Sequence, residues 1–151
     1  MNHQTYINKA VKLAQDNVQN GGKPFGAVIV KDDTVIATGI NKAVQTGDTT
    51  SHAETEAIRK AGIEGKSNQL KGATLYASGH PCPMCLAASY LAGIEEIYYD
   101  STLDEAEKVG LGVSHIYEEL RKNLDQQKLP LRQFSSTIEV NPIKQWADSE
   151  K

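Results

Sequence analysis

The chain has only two cysteines in its 151 residues, Cys82 and Cys85. Two thiols three positions apart cannot staple a large fold, which excludes a disulfide scaffold and leaves redox chemistry or metal binding. Long apolar runs are also missing. None approaches the roughly 20 residues needed to span a bilayer. The opening MNHQTYINKAVKLAQ alternates polar and apolar residues at helical spacing and has no signal-peptide core. The expected location is the cytoplasm. Nor is there an excess of positive charge. The formal net charge is -3, and Lys and Arg are interleaved with acids, as in Glu105-Ala106-Glu107-Lys108 and Glu118-Glu119-Leu120-Arg121-Lys122. Such runs read as solvated helix faces. Without a basic stripe the chain is not expected to grip a nucleic-acid backbone. Internal repeats and low-complexity linkers are absent from the sequence, so one domain over 1–151 is expected, long enough to bury a true core.

The patterning that is present alternates between helix and strand. Tyr6, Ala10, Leu13, Ala14 and Val18 mark one face of an opening helix that Gly21-Gly22 closes. Phe25 to Val30 is a β-branched run, Lys31-Asp32-Asp33 is turn-like, and Thr34 to Ile40 reads as the hairpin partner. A polar loop from Asn41 to Thr50 follows, then helical spacing at Ala53, Ala57, Ile58 and Ala61, ended by Gly62. Thr74–Ala77 and Ile94–Tyr99 read as strands around a helix from Cys82 to Ala92, which Gly93 stops. Helical stretches near 104–108 and 114–122 and a last strand from Leu131 to Phe134 complete the pattern. The expected class is α/β, with helices on both faces of a mixed sheet.

Two short motifs carry the chemistry. His52-Ala53-Glu54 and Pro81-Cys82-Pro83-Met84-Cys85 each open a helix after a strand-to-loop transition. That is where ligand sites of open α/β sheets lie. Together they fit the H-x-E…P-C-x-x-C signature of zinc deaminases. Cys82 and Cys85 at i and i+3 can share one helix face, and the positive helix N-terminus favours the metal-binding thiolate. Pro81 suits the start of that helix. His52, Cys82 and Cys85 make a three-ligand zinc set that leaves a fourth position for water. Glu54 remains off the ion as a proton shuttle. Each half also has a plainer meaning. Ser51-x-x-Glu54 matches a capping box, and Cys82-x-x-Cys85 alone could be a redox pair. The two halves together, in this order and each on its own helix start, outweigh those readings.

With these motifs the sequence resembles the cytidine/deoxycytidylate deaminase superfamily. The segments MNHQTYINKAVKLA, PFGAVIVKDDTVIATGIN, SHAETEAIRKA and PCPMCLAASYLAG look most like the small guanine deaminases, and the likeness runs to about Trp146. The resemblance implies a three-layer α/β/α sandwich around a mixed five-stranded sheet. It also implies a homodimer, one zinc per chain on His52, Cys82 and Cys85, and Glu54 as the catalytic proton carrier. It assigns Asn41 to hydrogen bonding and Phe25 to stacking with the substrate base, and it hints that the tail from about 136 to 151, with Trp146, packs across the dimer. The expected activity is hydrolytic deamination of a free nucleobase or nucleoside, with guanine or a related purine foremost. Cytosine or another aminoheterocycle comes second, then adenosine in transfer RNA. This chain departs from that group at Gly79-His80, where Cys-Glu is usual, and at Leu111-Gly112-Val113, where Phe-Asp-Asp supplies a carboxylate for purine handling. His80 could contact substrate, orient a metal ligand, or close the zinc sphere as a fourth ligand in a non-enzymatic structural zinc module. His115, beside the second departure, has no assigned role.

Overall fold

The structure, a computed structural model, describes residues 2–65 and 70–150. It forms two compact units, 1–118 and 119–151. The larger unit opens with α1 (His3–Gln19), capped by the Asn2 side chain accepting from the Thr5 N–H. Ala10, Ala14 and Asn17 are its buried residues, at i, i+4 and i+7. The expected stripe is corrected at its end: Val18 is 51% exposed and the buried position is the polar Asn17.

Strands β1 (Gly26–Lys31) and β2 (Thr34–Ile40) form an antiparallel hairpin. Asp32 and Asp33 make its turn with φ of 50° and 58°. A two-residue turn with both φ positive matches the twist of the strands it joins. The Asn41–Thr50 segment is not wholly loop, because a short helix, α2 (Ala43–Thr46), interrupts it. Helix α3 (Ala53–Gly65) runs past Gly62, which does not take up the left-handed conformation by which a glycine ends a helix. Next come β3 (Thr74–Gly79), α4 (Pro83–Ala92), β4 (Glu96–Ser101), α5 (Leu103–Lys108) and α6 (Ser114–Arg121).

The sheet order is β2-β1-β3-β4, with β1 antiparallel to both neighbours and β3 parallel to β4. It is therefore mixed, but it has four strands among the described residues and not the expected five. Leu131 to Phe134 forms no strand, and Leu131 and Phe134 are 73% and 97% exposed. Two apolar residues beside Pro130 neither bury a face nor offer a complete donor row for pairing. Unit 119–151 contains a 3-10 turn at Leu124–Gln126 and α7 (Pro142–Ser149), on which Trp146 is 64% exposed.

Alternation along β1 builds two cores. Ala27 and Ile29 face Ala53, Ala57 and Ala61 of α3, while Val28 and Val30 face Ala10 of α1 and Tyr76. Helices thus cover both faces, as the α/β/α expectation requires. Burial of each large aliphatic contributes about 1.5–3 kcal/mol. Two glycines let the helices press this close. A Cβ at Gly39 would lie 2.2 Å from the Ala53 carbonyl oxygen, and one at Gly26 would lie 2.4 Å from that of Ala10. Only a residue without a side chain fits there. Cross-strand pairing brings Gly26, Ile40, Gly79 and Ser101 to one end of the sheet. The sequence motifs gather at that end.

Candidate active site

His52 precedes α3, and its backbone is fixed by the Thr55 hydroxyl, which accepts from the His52 N–H at 3.0 Å. The capping-box reading of Ser51 and Glu54 does not hold, because the helix starts at Ala53 and the Ser51 N–H that Glu54 would cap donates to the Asp48 carbonyl at 3.1 Å, while the Ser51 hydroxyl donates to Glu56 at 2.7 Å. Glu54 is left facing inward, 6% exposed. Cys82 is the N-cap of α4 and its sulfur accepts from the Cys85 N–H at 3.4 Å. Pro83, not Pro81, occupies the first helical turn. Pro81 instead holds the chain entering Cys82, because its carbonyl accepts from the Tyr117 hydroxyl at 2.6 Å and from His80 Nδ1 at 2.9 Å.

His52, Cys82 and Cys85 converge, their ligand atoms all within 4.8 Å of one another. His52 Nδ1 stands 3.4 Å from the Cys82 sulfur and 3.6 Å from the Cys85 sulfur. Tetrahedral zinc with sulfurs at about 2.3 Å and nitrogen at about 2.0–2.1 Å keeps its nitrogen and sulfur ligands about 3.6 Å apart. The donor set and its spacing therefore fit the ion. Among the described residues no fourth ligand joins the group. His80 donates from Nδ1 to the Pro81 carbonyl and is not among the converging ligand atoms. Three protein ligands match an open catalytic zinc site better than a closed structural one.

The electrostatics favour the same end. The Cys82 thiol is pulled down to about 4, first by a hydrogen bond from Cys85 and then by one with His52. The same bond, together with burial, pushes Cys85 up. His52 is raised by its bond to Cys82. Burial pushes the Glu54 carboxyl above the usual carboxylate range, opposed in part by a hydrogen bond with Cys85.

A cavity of about 230 Å3 opens over this cluster and is lined by His52, Glu54 and Cys82 together with Phe25, Asn41 and His80. All of the expected site residues are brought together. Asn41 is 2% exposed, and its side-chain oxygen accepts from the Ala43 N–H at 3.0 Å, which turns the amide's donor end to other partners. Phe25 serves two purposes, lining the cavity and packing on the α3-side core. His80 is held edge-on by Tyr99 and Tyr117, with ring centroids 4.6 and 5.6 Å away. Tyr99 thus contacts His80 without lining the cavity itself, while Tyr98 packs in the α1-side core. His115 is exposed and does not line the cavity. Lys23 and Thr102 line it, although no sequence motif points to them. Their only signal is adjacency, Lys23 lying two residues before Phe25 and Thr102 just after β4. At Leu111-Gly112-Val113 the wall carries no acid, and a Cβ on Gly112 would lie 1.9 Å from the Glu107 carboxyl carbon. Glu107 fills the space a residue-112 side chain would take and accepts from the Ser114 N–H at 3.0 Å.

A three-ligand thiolate-imidazole site with a buried carboxyl beside it, at one end of a helix-covered mixed sheet, defines a zinc-dependent hydrolase of α/β class. The chain belongs to the family described as the cytidine and deoxycytidylate deaminase zinc-binding region, whose model matches residues 1–101. It is 42% identical to a guanine deaminase of Bacillus subtilis over 97% of this chain and 94% of that one. A crystal structure of guanine deaminase from the same organism superposes with a TM-score of 0.90 at 41% identity, covering 98% of this chain and 95% of that chain. A tRNA-specific adenosine deaminase of Buchnera aphidicola is 31% identical over 82% of this chain and 78% of its own length. The protein is accordingly a zinc-dependent deaminase, a hydrolase acting on C–N bonds of cyclic amidines. No helix among the described residues is long and apolar enough to cross a membrane.

Proposed function

We propose that the protein hydrolyses the exocyclic amino group of guanine, releasing ammonia and xanthine. The observation that carries this reading is the near end-to-end likeness to a guanine deaminase, which covers the tail as well as the catalytic motifs. The cavity supports it, being below the roughly 300–1,000 Å3 of pockets for drug-sized ligands and suited to one free base.

His52, Cys82 and Cys85 would hold zinc, which would supply the Lewis acidity that lowers the pKa of a water toward neutrality. Glu54 does the proton work. Its carboxyl takes a proton from the attacking water and passes it to a ring nitrogen, then takes the second proton from the hydroxyl added to the ring carbon and delivers it to the amine, which leaves as ammonia. A raised pKa suits that cycle, because the group must hold the proton as readily as it releases it. The Asn41 amide donates to an acceptor on the base, and Phe25 bounds the ring face. With Nδ1–H committed to Pro81, Nε2 is the His80 ring nitrogen left to meet a polar group on the base.

The functional unit is a single deaminase domain acting as a cytoplasmic homodimer, without a nucleic-acid partner. Tyr90 and Leu91, adjacent on α4 and 80% and 91% exposed, support a covered face. Exposed Phe134, Ile138 and Trp146 support a tail that packs across the dimer. Ammonia release from guanine, cytosine, adenine and their nucleosides by zinc-loaded protein tests the substrate. Guanine is expected to lead by at least about tenfold in kcat/KM, a preference worth about 1.4 kcal/mol. A preference for cytosine or adenosine would overturn the assignment.

A further inference from the structure

Asn17 lies in a stripe of α1 otherwise made of alanines and is 2% exposed. A buried amide is retained only where its hydrogen bonds are met, and here they are met by the chain that builds the cavity. Its Nδ2 donates to the Lys23 carbonyl and to the Asn41 carbonyl, each at 2.8 Å. Its Oδ1 accepts from Gln45 Nε2 at 3.2 Å. Carbonyls only accept, so this amide has one possible orientation. The Gly22 N–H donates to the Asn17 backbone carbonyl at 2.8 Å, and a Cβ on Gly22 would come within 2.6 Å of the amide.

These bonds close a ring. The Phe25 N–H donates to Lys23 at 2.9 Å, and the Asn41 N–H donates to Phe25 at 3.2 Å. Asn17 joins the two free ends of that chain. Lys23, Phe25 and Asn41 all line the cavity, yet they come from the segment before β1 and the end of β2. Gln45, on α2, ties the Asn17 oxygen to the turn whose Ala43 N–H fixes the Asn41 side chain.

We propose that Asn17 is a positioning residue for substrate binding, a clamp outside the cavity that sets where Asn41 and Phe25 meet the base. The inference rests on the assignment of those two residues to substrate contact. Asn17 touches neither the zinc ligands nor Glu54, so its loss acts on binding and spares the chemical step.

Steady-state kinetics with guanine, together with zinc content, separate this role from a merely structural one. Asn17→Ala is expected to raise KM about 10- to 100-fold, the range for one or two lost hydrogen bonds at a buried site. The variant keeps one zinc per chain, and kcat stays within about threefold. Asn17→Asp, nearly isosteric, is expected to be worse, because it points a carboxylate oxygen at two carbonyls. Ala14→Gly weakens the same helix without touching the ring and is expected to leave KM unchanged. The double variant N17A/N41A should lose less than the product of the two single losses, because in the Asn41→Ala background only Phe25 is left for Asn17 to position. If Asn41→Ala raises KM while Asn17→Ala does not, the clamp is overturned and the assignment of Asn41 stands. If Asn41→Ala itself leaves KM unchanged, the substrate-contact reading fails. Should Asn17→Ala not accumulate folded, Gln45→Leu reads the same ring. A KM raised about threefold supports the clamp, since a single weak bond is lost, and an unchanged KM overturns it.

Discussion

Replacing Glu54 by Gln removes a proton-exchanging group while keeping its size and much of its hydrogen bonding. Glu54 touches Cys85 but is not one of the three converging ligand atoms, so the variant is expected to retain one zinc per chain. Losing a general acid-base group costs about 10^2- to 10^4-fold in kcat. Glu54 serves both as base and as acid here, which places the expected loss toward the upper end, with KM for guanine within a few-fold of the parent. A second readout follows from burial, which raises the folded-state pKa of the carboxyl above its value in the unfolded chain. A group of this kind contributes stability that is present below the unfolded value, near 4.5, and is lost as pH rises through the folded value. Above that unfolded value the chelated wild type loses stability through its buried carboxyl, and the Gln variant does not. The variant should therefore be the more stable of the two at pH 7 to 8, by about 1–3 kcal/mol, with the gap closing toward pH 4.5. Calorimetry across that pH range with a chelator, alongside kcat and metal content at pH 7, makes the comparison. Retained turnover in a zinc-loaded Gln variant would refute the proton role. A stability difference that widened with acid would refute the burial argument.

Other outcomes follow from the same geometry. Zinc binding displaces the Cys85 thiol proton and, in acid, a proton from His52, so apparent zinc affinity should fall about tenfold per pH unit where the thiol proton alone is lost and towards about a hundredfold per unit once His52 is protonated, read by competition with a chromophoric chelator. Gly39→Ala places a methyl 2.2 Å from the Ala53 carbonyl oxygen, which must move α3 and with it Glu54. A stability loss of about 1–3 kcal/mol in denaturant titration should accompany a fall in kcat. Gly112→Ala displaces the Glu107 carboxylate from its bond to Ser114. It should change KM for guanine while leaving zinc content intact, which metal analysis beside kinetics would show.

Much of the catalytic end is legible in the sequence because its chemistry is local. His52-x-Glu54 and Cys82-x-x-Cys85 encode ligand identity and helix-start placement within a few residues, and β1 announces itself through Ala27-Val28-Ile29-Val30. What periodicity does not show is polarity that is buried and satisfied. Apolar spacing points to Val18 over Asn17, because only distant partners, Lys23, Asn41 and Gln45, make an amide acceptable inside. The absent fifth strand is the converse case. Leu131 and Phe134 look apolar enough to pair, yet a strand needs a partner edge and a face to bury, and neither is encoded locally. The turn at Asp32-Asp33 is legible, but the antiparallel pairing of β1 with β3 depends on long-range packing.

X-ray absorption at the zinc edge of freshly purified protein tests the central claim most directly. The account predicts one zinc per chain with two sulfurs at about 2.3 Å and two nitrogen or oxygen neighbours at about 2.0–2.1 Å. A first shell without sulfur, or clean protein without zinc, would contradict it.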